Sequence, residues 1–228
     1  MLLIEKIFKP FSTFHHKRIF LYLKNLDIDK IIDIGAHKGE FLEKMLKIEK
    51  VNSFYAFEPQ KDIFDILSKK FSKNNKITLL NYAADKEITN KKLQISKLSM
   101  TSSLAEVNEK SLYFNLKNFL TGSKSNFINE YEVQTNTIDN IFKDVNLKKT
   151  LLKIDVEGFE MNVIKGSQIK LKEIPYIIIE NQFGNHYKNN NFNDIKDVLL
   201  KYNFVVFKRF IFPTMHYQDV LFKKSDLF

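Results

Sequence analysis

Short apolar runs recur along the chain, separated by stretches in which apolar positions return every three or four residues. The runs predict strands at Lys30 to Ile34, Ser53 to Phe57, Ile77 to Tyr82, Leu151 to Ile154, Tyr176 to Ile179, Phe204 to Lys208 and Tyr217 to Phe222. Helical patterns follow the first (Glu40 to Lys47), the second (Asp62 to Lys70), the fourth (Glu157 to Lys172) and the fifth (Asn193 to Lys201). Strands alternating with helices in this way read as βαβ units of a wound parallel sheet, an α/β fold. No helical pattern separates the last two strands, so they are expected to pair antiparallel at the sheet edge. Residues 1–29 predict two short amphipathic helices around Pro10, a helical extension ahead of one α/β domain over 30–228.

Residues 85 to 135 break this rhythm. They are rich in Ser, Thr, Asn and Lys, with a cluster at Ser99 to Ser103 and an aromatic stretch from Leu112 to Phe119. A connection this long is unusual inside a compact fold and often forms a lid or binding segment. The reading is an insertion at about 86–134 over the carboxyl ends of the strands, with Tyr113 and Phe114 able to pack against a sugar-like ring. A plain surface loop is the alternative.

Composition narrows the class. Of 228 residues 44% are hydrophobic and 28% charged, with only 6 Gly and 4 Pro, which suits a folded protein and excludes a fibrous or linker-dominated chain. The absence of cysteine excludes a disulfide framework and thiolate chemistry, and fits a reducing, cytoplasmic setting. A net charge of +9 favours acidic partners, but the lysines are spread out and form no zinc-finger, helix-turn-helix or stacking pattern, so nucleic acid is not the expected partner. No apolar run reaches the about 18 to 20 residues that span a bilayer, and Met1 to Phe8 is interrupted by charge, unlike a signal peptide. Ile4, Ile7, Phe8 and Phe11 nevertheless fall at helical spacing with Lys6 and Lys9 between them, and His15-His-Lys-Arg18 leads into Ile19-Phe20-Leu21. Such a pattern could lie on an anionic membrane surface, or pack against the core or a second subunit.

The first strand runs into Gly35-Ala-His-Lys-Gly39 and then a helix, a turn in which backbone N–H groups can approach a small ligand. The next strand ends in Glu58, placed to accept from a ribose diol. Gly35-x-x-x-Gly39 is looser than the Gly-x-Gly-x-x-Gly cradle of a dinucleotide pyrophosphate, so S-adenosylmethionine, which carries no phosphate, suits it better. Four carboxylates stand at the ends of the fourth and fifth strands. Asp155 ends one, Glu157 and Glu160 follow three apart where a helix face would bring them together, and Glu180 ends the other on the same rim. Together they could share a proton, hold a hydroxyl-bearing substrate or bind a divalent ion. No histidine pair or dedicated ligand motif marks a metal site, so a metal is not favoured. Lys153 is an ionisable residue inside an apolar strand. His186 could reach the rim from its loop with Tyr187 flanking a substrate ring, whereas His15, His16 and His216 read as surface groups or local caps.

The chain resembles the FkbM family of S-adenosylmethionine-dependent methyltransferases over roughly residues 30–223. The likeness rests on Ile32-Asp-Ile-Gly-Ala-His-Lys-Gly-Glu40, Tyr55-Ala-Phe-Glu-Pro59, Asn81-Tyr-Ala-Ala-Asp85, Thr137-Ile-Asp139, Leu152-Lys-Ile-Asp-Val-Glu-Gly-Phe-Glu160 with Lys165-Gly166, and Ile178-Ile-Glu180, in this order. It implies a class I methyltransferase core, a Rossmann-like three-layer sandwich with a seven-stranded, mostly parallel sheet. It also implies methyl transfer to an oxygen of a sugar, glycolipid or related small molecule. Asp33, Gly35, Ala36, His37 and Gly39 would form the cofactor turn, Glu58 and Pro59 the ribose side, Ala84 and Asp85 the adenine side. Asp155, Glu157, Glu160 and Glu180 would line the reaction centre. His37 stands where the family commonly has Asn.

For a methyl transfer the residues must align the acceptor and take its proton. Asp155 is the first choice as base because it ends a strand, and His37 and His186 are the rivals. An oxidoreductase using a nucleotide cofactor, or a binding protein without catalysis on the same fold, are the competing classes.

Overall fold

The computed structural model of the protein describes residues 3–95, 102–106, 108, 129–184, 186–188 and 191–227. Seven strands form the main sheet: β1 (Lys30–Ile34), β2 (Ser53–Phe57), β3 (Ile77–Leu80), β7 (Thr150–Ile154), β8 (Tyr176–Gln182), β9 (Phe204–Ile211) and β10 (Tyr217–Lys224). Their order is β3-β2-β1-β7-β8-β10-β9. All neighbours run parallel except β10, which is antiparallel to both β8 and β9. The wound α/β sheet and its antiparallel edge pair therefore form as expected.

Alternation along the buried strands sorts side chains between two faces. Ile31, Phe54, Leu151, Ile178 and Leu221 meet α1 (Leu3–Leu23), α2 (Glu40–Met45) and α3 (Lys61–Phe71) through Ile19, Leu23, Leu42 and Leu67. Ile32, Phe57, Leu152, Ile177 and Val220 face Ile138, Val163 and Leu199. Those last three lie on α4 (Ile138–Ile141), α5 (Glu160–Lys165) and α6 (Phe192–Lys201). Three layers result. The crossover order reverses between β1 and β7, and the crevice at the carboxyl ends of such strands is where wound sheets take ligands.

Three expectations are corrected. The N-terminal segment is one helix that continues through Pro10, not two helices around it. Proline removes a donor and crowds the preceding turn, but His15, Ile19 and Leu23, four residues apart, are buried and anchor the helix beyond it. The helix expected from Glu157 begins only at Glu160, because Glu157 (φ +54°) and Gly158 (φ +93°) adopt left-handed backbone that a helix cannot contain. It ends at Lys165, and a separate 3₁₀ turn covers Lys170–Lys172. The strand expected to reach Tyr82 stops at Leu80, and β4 (Ala83–Ala84) starts a second sheet.

That second sheet, in the order β4, β6 (Asn129–Asn136) and β5 (Asn90–Ile95), joins the residues just before the polar insertion to its two ends. β5 pairs antiparallel with β6, and Leu93, Ile95 and Val133 bury a small core with Ala83. Ser103, Glu106 and Asn108 of the insertion meet the carboxyl rim: the Ser103 hydroxyl donates to the Glu157 carbonyl at 2.5 Å and the Asn108 N–H to the His186 carbonyl at 2.9 Å. Tyr113, Phe114 and the rest of the aromatic stretch lie outside the described residues.

Candidate functional site

The cofactor turn is held by its own backbone. Gly35 and Ala36 donate to the Phe57 carbonyl at 3.1 and 2.9 Å, tying the end of β1 to the end of β2. Gly35 has φ +84°, and a Cβ there would stand 1.9 Å from the Asp155 carbonyl oxygen. Glycine is thus required for the approach of the chain to itself, a demand that precedes any ligand. His37, also left-handed at φ +48°, donates its N–H to Glu58 Oε2 at 2.9 Å, and its Nδ1 lies 3.7 Å from Glu40 Oε2. Gln60 N–H donates to Glu58 Oε1 at 2.8 Å, and Asn81 holds the Glu58 carbonyl at 2.7 Å and the Pro59 carbonyl at 3.2 Å. Burial pushes the Glu58 carboxyl up to about 7. A carboxylate offers about four acceptor positions. Two N–H donors leave room for hydroxyls, so Glu58 fits a ribose-bearing cofactor.

Asp85 and Ala84, expected beside the adenine, are buried. The Asp85 carboxylate accepts from Lys86 N–H at 2.7 Å and from the Asn162 amide at 3.0 Å, and its other oxygen lies 2.5 Å from Lys91 Nζ. Its visible work is to join the second sheet to α5.

Lys153 links the two halves of the rim. Its ammonium lies 3.0 Å from both Asp33 Oδ1 and Asp155 Oδ2, over the ring of Phe41. Burial alone would lower the Lys153 ammonium, and the charges of Asp155 and Asp33 outweigh it and raise it above the usual lysine value. The ion pair to Asp33 is off the hydrogen-bond axis, and the second Asp33 oxygen has no hydrogen-bond partner.

The reaction side is acidic. Oxygens of Asp155, Glu157 and Glu180 lie within 4.8 Å of one another. Glu157 Oε2 accepts from the Gln182 amide at 2.6 Å and the Tyr187 hydroxyl at 2.7 Å, and the same Gln182 nitrogen reaches Glu180 Oε1 at 3.2 Å. Burial, then the charge of Asp155, raises Glu157 to about 7 and Glu180 well above the carboxylate range. Glu160 is raised to about 7 by burial and accepts the Gly158 N–H at 3.0 Å. Glu160, Glu180, Gln182, His186 and Tyr187 line one small pocket. Tyr187 does not stand open in this pocket: it is buried, a Cβ on Gly158 would stand 2.3 Å from its ring, and its hydroxyl donates to Glu157. Glu157 and Glu160 do not share a helix face either, since left-handed backbone separates them.

Sequence spacing does not reveal Gln182, Asp219 or the role of α1. Asp219 on β10 stands opposite Glu180 on β8. His15 reaches it across 204 residues of sequence, its Nε2 2.6 Å from Asp219 Oδ2. His15 is therefore no surface group: it is fully buried among the rings of Phe212 and Tyr217. His16 beside it faces Phe41, and burial lowers its imidazole to about 4, so it is neutral at physiological pH. His216 contacts Thr214 and Phe212 in the β9–β10 turn.

A family model described as the methyltransferase FkbM domain matches residues 33–206. No curated protein matches the chain. Among solved structures, the methyltransferase FkbM of Methylobacillus flagellatus is similar with a TM-score of 0.57 at 17% identity, over 86% of this chain and 44% of that one. This chain thus spans less than half the length of that protein. A Streptococcus agalactiae protein of the NADB-Rossmann superfamily (TM-score 0.52, 12% identity, 92% of this chain and 67% of that one) has a similar fold. So does TrmK of M. capricolum in complex with S-adenosylhomocysteine (TM-score 0.50, 10% identity, 91% and 68%). At these identities the structures speak to the fold, while the family match covers most of the sequence and takes in Asp155, Glu157, Glu160 and Glu180. This chain belongs to the FkbM methyltransferase family.

Proposed function

We propose that the chain is an S-adenosylmethionine-dependent O-methyltransferase acting on a hydroxyl of a sugar, glycolipid or related small molecule. The observation that carries this reading is the cluster of Asp155, Glu157 and Glu180 at the switch point, beside a turn whose Glu58 retains acceptor positions. When bound, the cofactor supplies an electrophilic methyl group. The chain's own residues do the rest. Glu58 and the turn from Asp33 to Gly39 hold the nucleoside end. Asp155, fixed by Lys153, accepts a hydrogen bond from the acceptor hydroxyl and orients it. Glu157 and Glu180, with one Gln182 amide between them, receive the hydroxyl proton, since a base works best with its pKa near the operating pH.

Titration calorimetry with S-adenosylmethionine, and separately with NAD, tests the cofactor. Binding of the first and not the second is expected, with Glu58→Ala weakening it about 10- to 100-fold, the worth of hydrogen bonds to a charged group. Unchanged affinity in that variant removes Glu58 from the ribose. Transfer of labelled methyl to pooled hydroxylated acceptors tests the reaction, and the absence of any labelled product leaves a binding protein.

A further inference from the structure

Five of the large exposed apolar side chains stand around the mouth of the site. Phe11 (41% exposed), Phe14 (56%), Phe183 (42%), Ile211 (45%) and Met215 (72%) come from three separate segments. Topology brings them to one end. His15 of α1 meets Asp219 opposite Glu180, which places the preceding turns of α1 at the carboxyl rim. Phe183 follows β8 and donates its N–H to the His216 carbonyl at 2.9 Å, beside the β9–β10 turn that carries Met215. Arg18 joins α1 to this turn: it donates to the Ile211 carbonyl at 2.8 Å and its guanidinium lies 5.9 Å from the centre of the Phe14 ring.

Basic side chains border the acidic rim on the segments that carry these apolar groups. Lys17, Lys208 and Arg209 are exposed, and neither Pro10 to Lys24 nor Phe204 to Met215 contains an acidic residue. We propose that this end docks on an anionic lipid bilayer and presents the acidic rim to a hydroxyl of a membrane-held acceptor at headgroup level. Exposed phenylalanines beside basic side chains are the arrangement that lies in a bilayer interface, apolar groups below the headgroups and cations among them. A second copy is the poorer occupant. Pairing the face with itself would bring together the Lys17 and Arg18 cations of two chains, each of net charge +9. None of the described helices is long and apolar enough to cross a membrane, so the attachment is peripheral.

This inference rests on the methyltransferase reading, and the test separates the two. Full-length protein is sedimented with phosphatidylcholine vesicles with and without phosphatidylglycerol, and S-adenosylmethionine affinity is measured in parallel. Partition onto the anionic vesicles alone is expected. Replacing Phe11, Phe14 and Met215 together by Ser should lower it roughly tenfold or more, given the transfer value of buried apolar side chains, with cofactor affinity unchanged. Absence of partition at low salt, equal partition of the triple variant, or a dimer in solution that the same substitutions abolish would each overturn the docking face. Cofactor binding without vesicle binding removes the docking alone, whereas vesicle binding without cofactor binding removes the methyltransferase reading.

Discussion

The two halves of the rim are built from different materials. On the cofactor side, at the ends of β1 and β2, the turn is fixed by main-chain hydrogen bonds to Phe57 and Glu58 and by a Gly35 that touches the Asp155 carbonyl. On the acceptor side, at the ends of β7, β8 and β10, the structure is made by ionisable side chains: Asp155, Glu157, Glu180 and Asp219, with Gln182, Tyr187 and His15 as their partners. Backbone makes a socket whose shape is set largely by the main chain, with the Glu58 carboxyl as its one titrating anchor near neutrality. Buried carboxylates make a surface whose charge depends on its partners one by one. A family can therefore keep the cofactor while its acceptor changes, because only the second half depends on side chains supplied by distant segments.

Lys153 is where the halves meet, so removing it tests the division most severely. Lys153→Met should destabilise the fold by about 3–5 kcal/mol, the usual result of leaving buried charge without its partner. Denaturant unfolding measures this. A loss below about 1 kcal/mol would mean that Asp33 and Asp155 manage without the ammonium, by taking up a proton or by solvation, and that the halves are structurally independent.

Glu157→Gln should instead strike one half alone. Turnover should fall about 10²- to 10⁴-fold, the worth of positioned proton transfer, with cofactor affinity within a factor of about two. Asp155→Asn is the companion. A larger loss in the asparagine variant than in Glu157→Gln would return the role of base to Asp155, the residue that strand position alone favours.

This split also explains what could be read from the chain. The strands, their carboxyl-end acids and the cofactor turn are local: each is a run of neighbouring residues, with Glu58 and Asp155 directly after β2 and β7 and Asp33 and Glu180 within the carboxyl ends of β1 and β8. The partners of the acids are not local. Nothing near His15 announces Asp219, and nothing near Asp85 announces Asn162. Glu157 was visible as a carboxylate but not as a left-handed residue outside the helix, although the neighbouring Gly158 was the available signal. β5 and β6 were hidden by composition, since lysine, glutamate and asparagine fill their exposed positions. Only Leu93 and Ile95, two apart, and Tyr131 and Val133 carry the strand period.

Stability should follow pH with a sign set by the buried acids. Glu58, Glu157 and Glu160 are each raised to about 7 from an unfolded value near 4.5, so between these values the folded chain binds more protons than the unfolded one. Their contribution is complete below about pH 4.5 and is lost as the pH rises through about 7. His16, lowered by burial to about 4 from 6.5, acts oppositely over much the same range, as do His186 and His216, also lowered by burial, while Glu180, raised well above the carboxylate range, adds to the three acids. Net stability should therefore fall by on the order of 1–3 kcal/mol between pH 5 and pH 7. Thermal unfolding across this range reads it, and the Glu157→Gln variant should flatten the slope. A stability that climbs instead would show that these carboxyls stay charged in the fold on both sides of the rim.

The smallest effect expected is that of a chelator. Three carboxylate oxygens within 4.8 Å could accept a divalent cation, and such an ion would convert the acceptor side into a rigid socket like its neighbour. Gln182 argues otherwise. Its amide nitrogen donates to Glu157 at 2.6 Å and lies 3.2 Å from Glu180, where an N–H competes with a cation for the same lone pairs. Turnover in EDTA should then match turnover in added Mg²⁺ within a factor of about two. Abolition by EDTA and recovery with Mg²⁺ or Mn²⁺ would require the Gln182 amide to turn and offer its oxygen, a reorientation that replacing Gln182 by Glu would tolerate and replacing it by Leu would not.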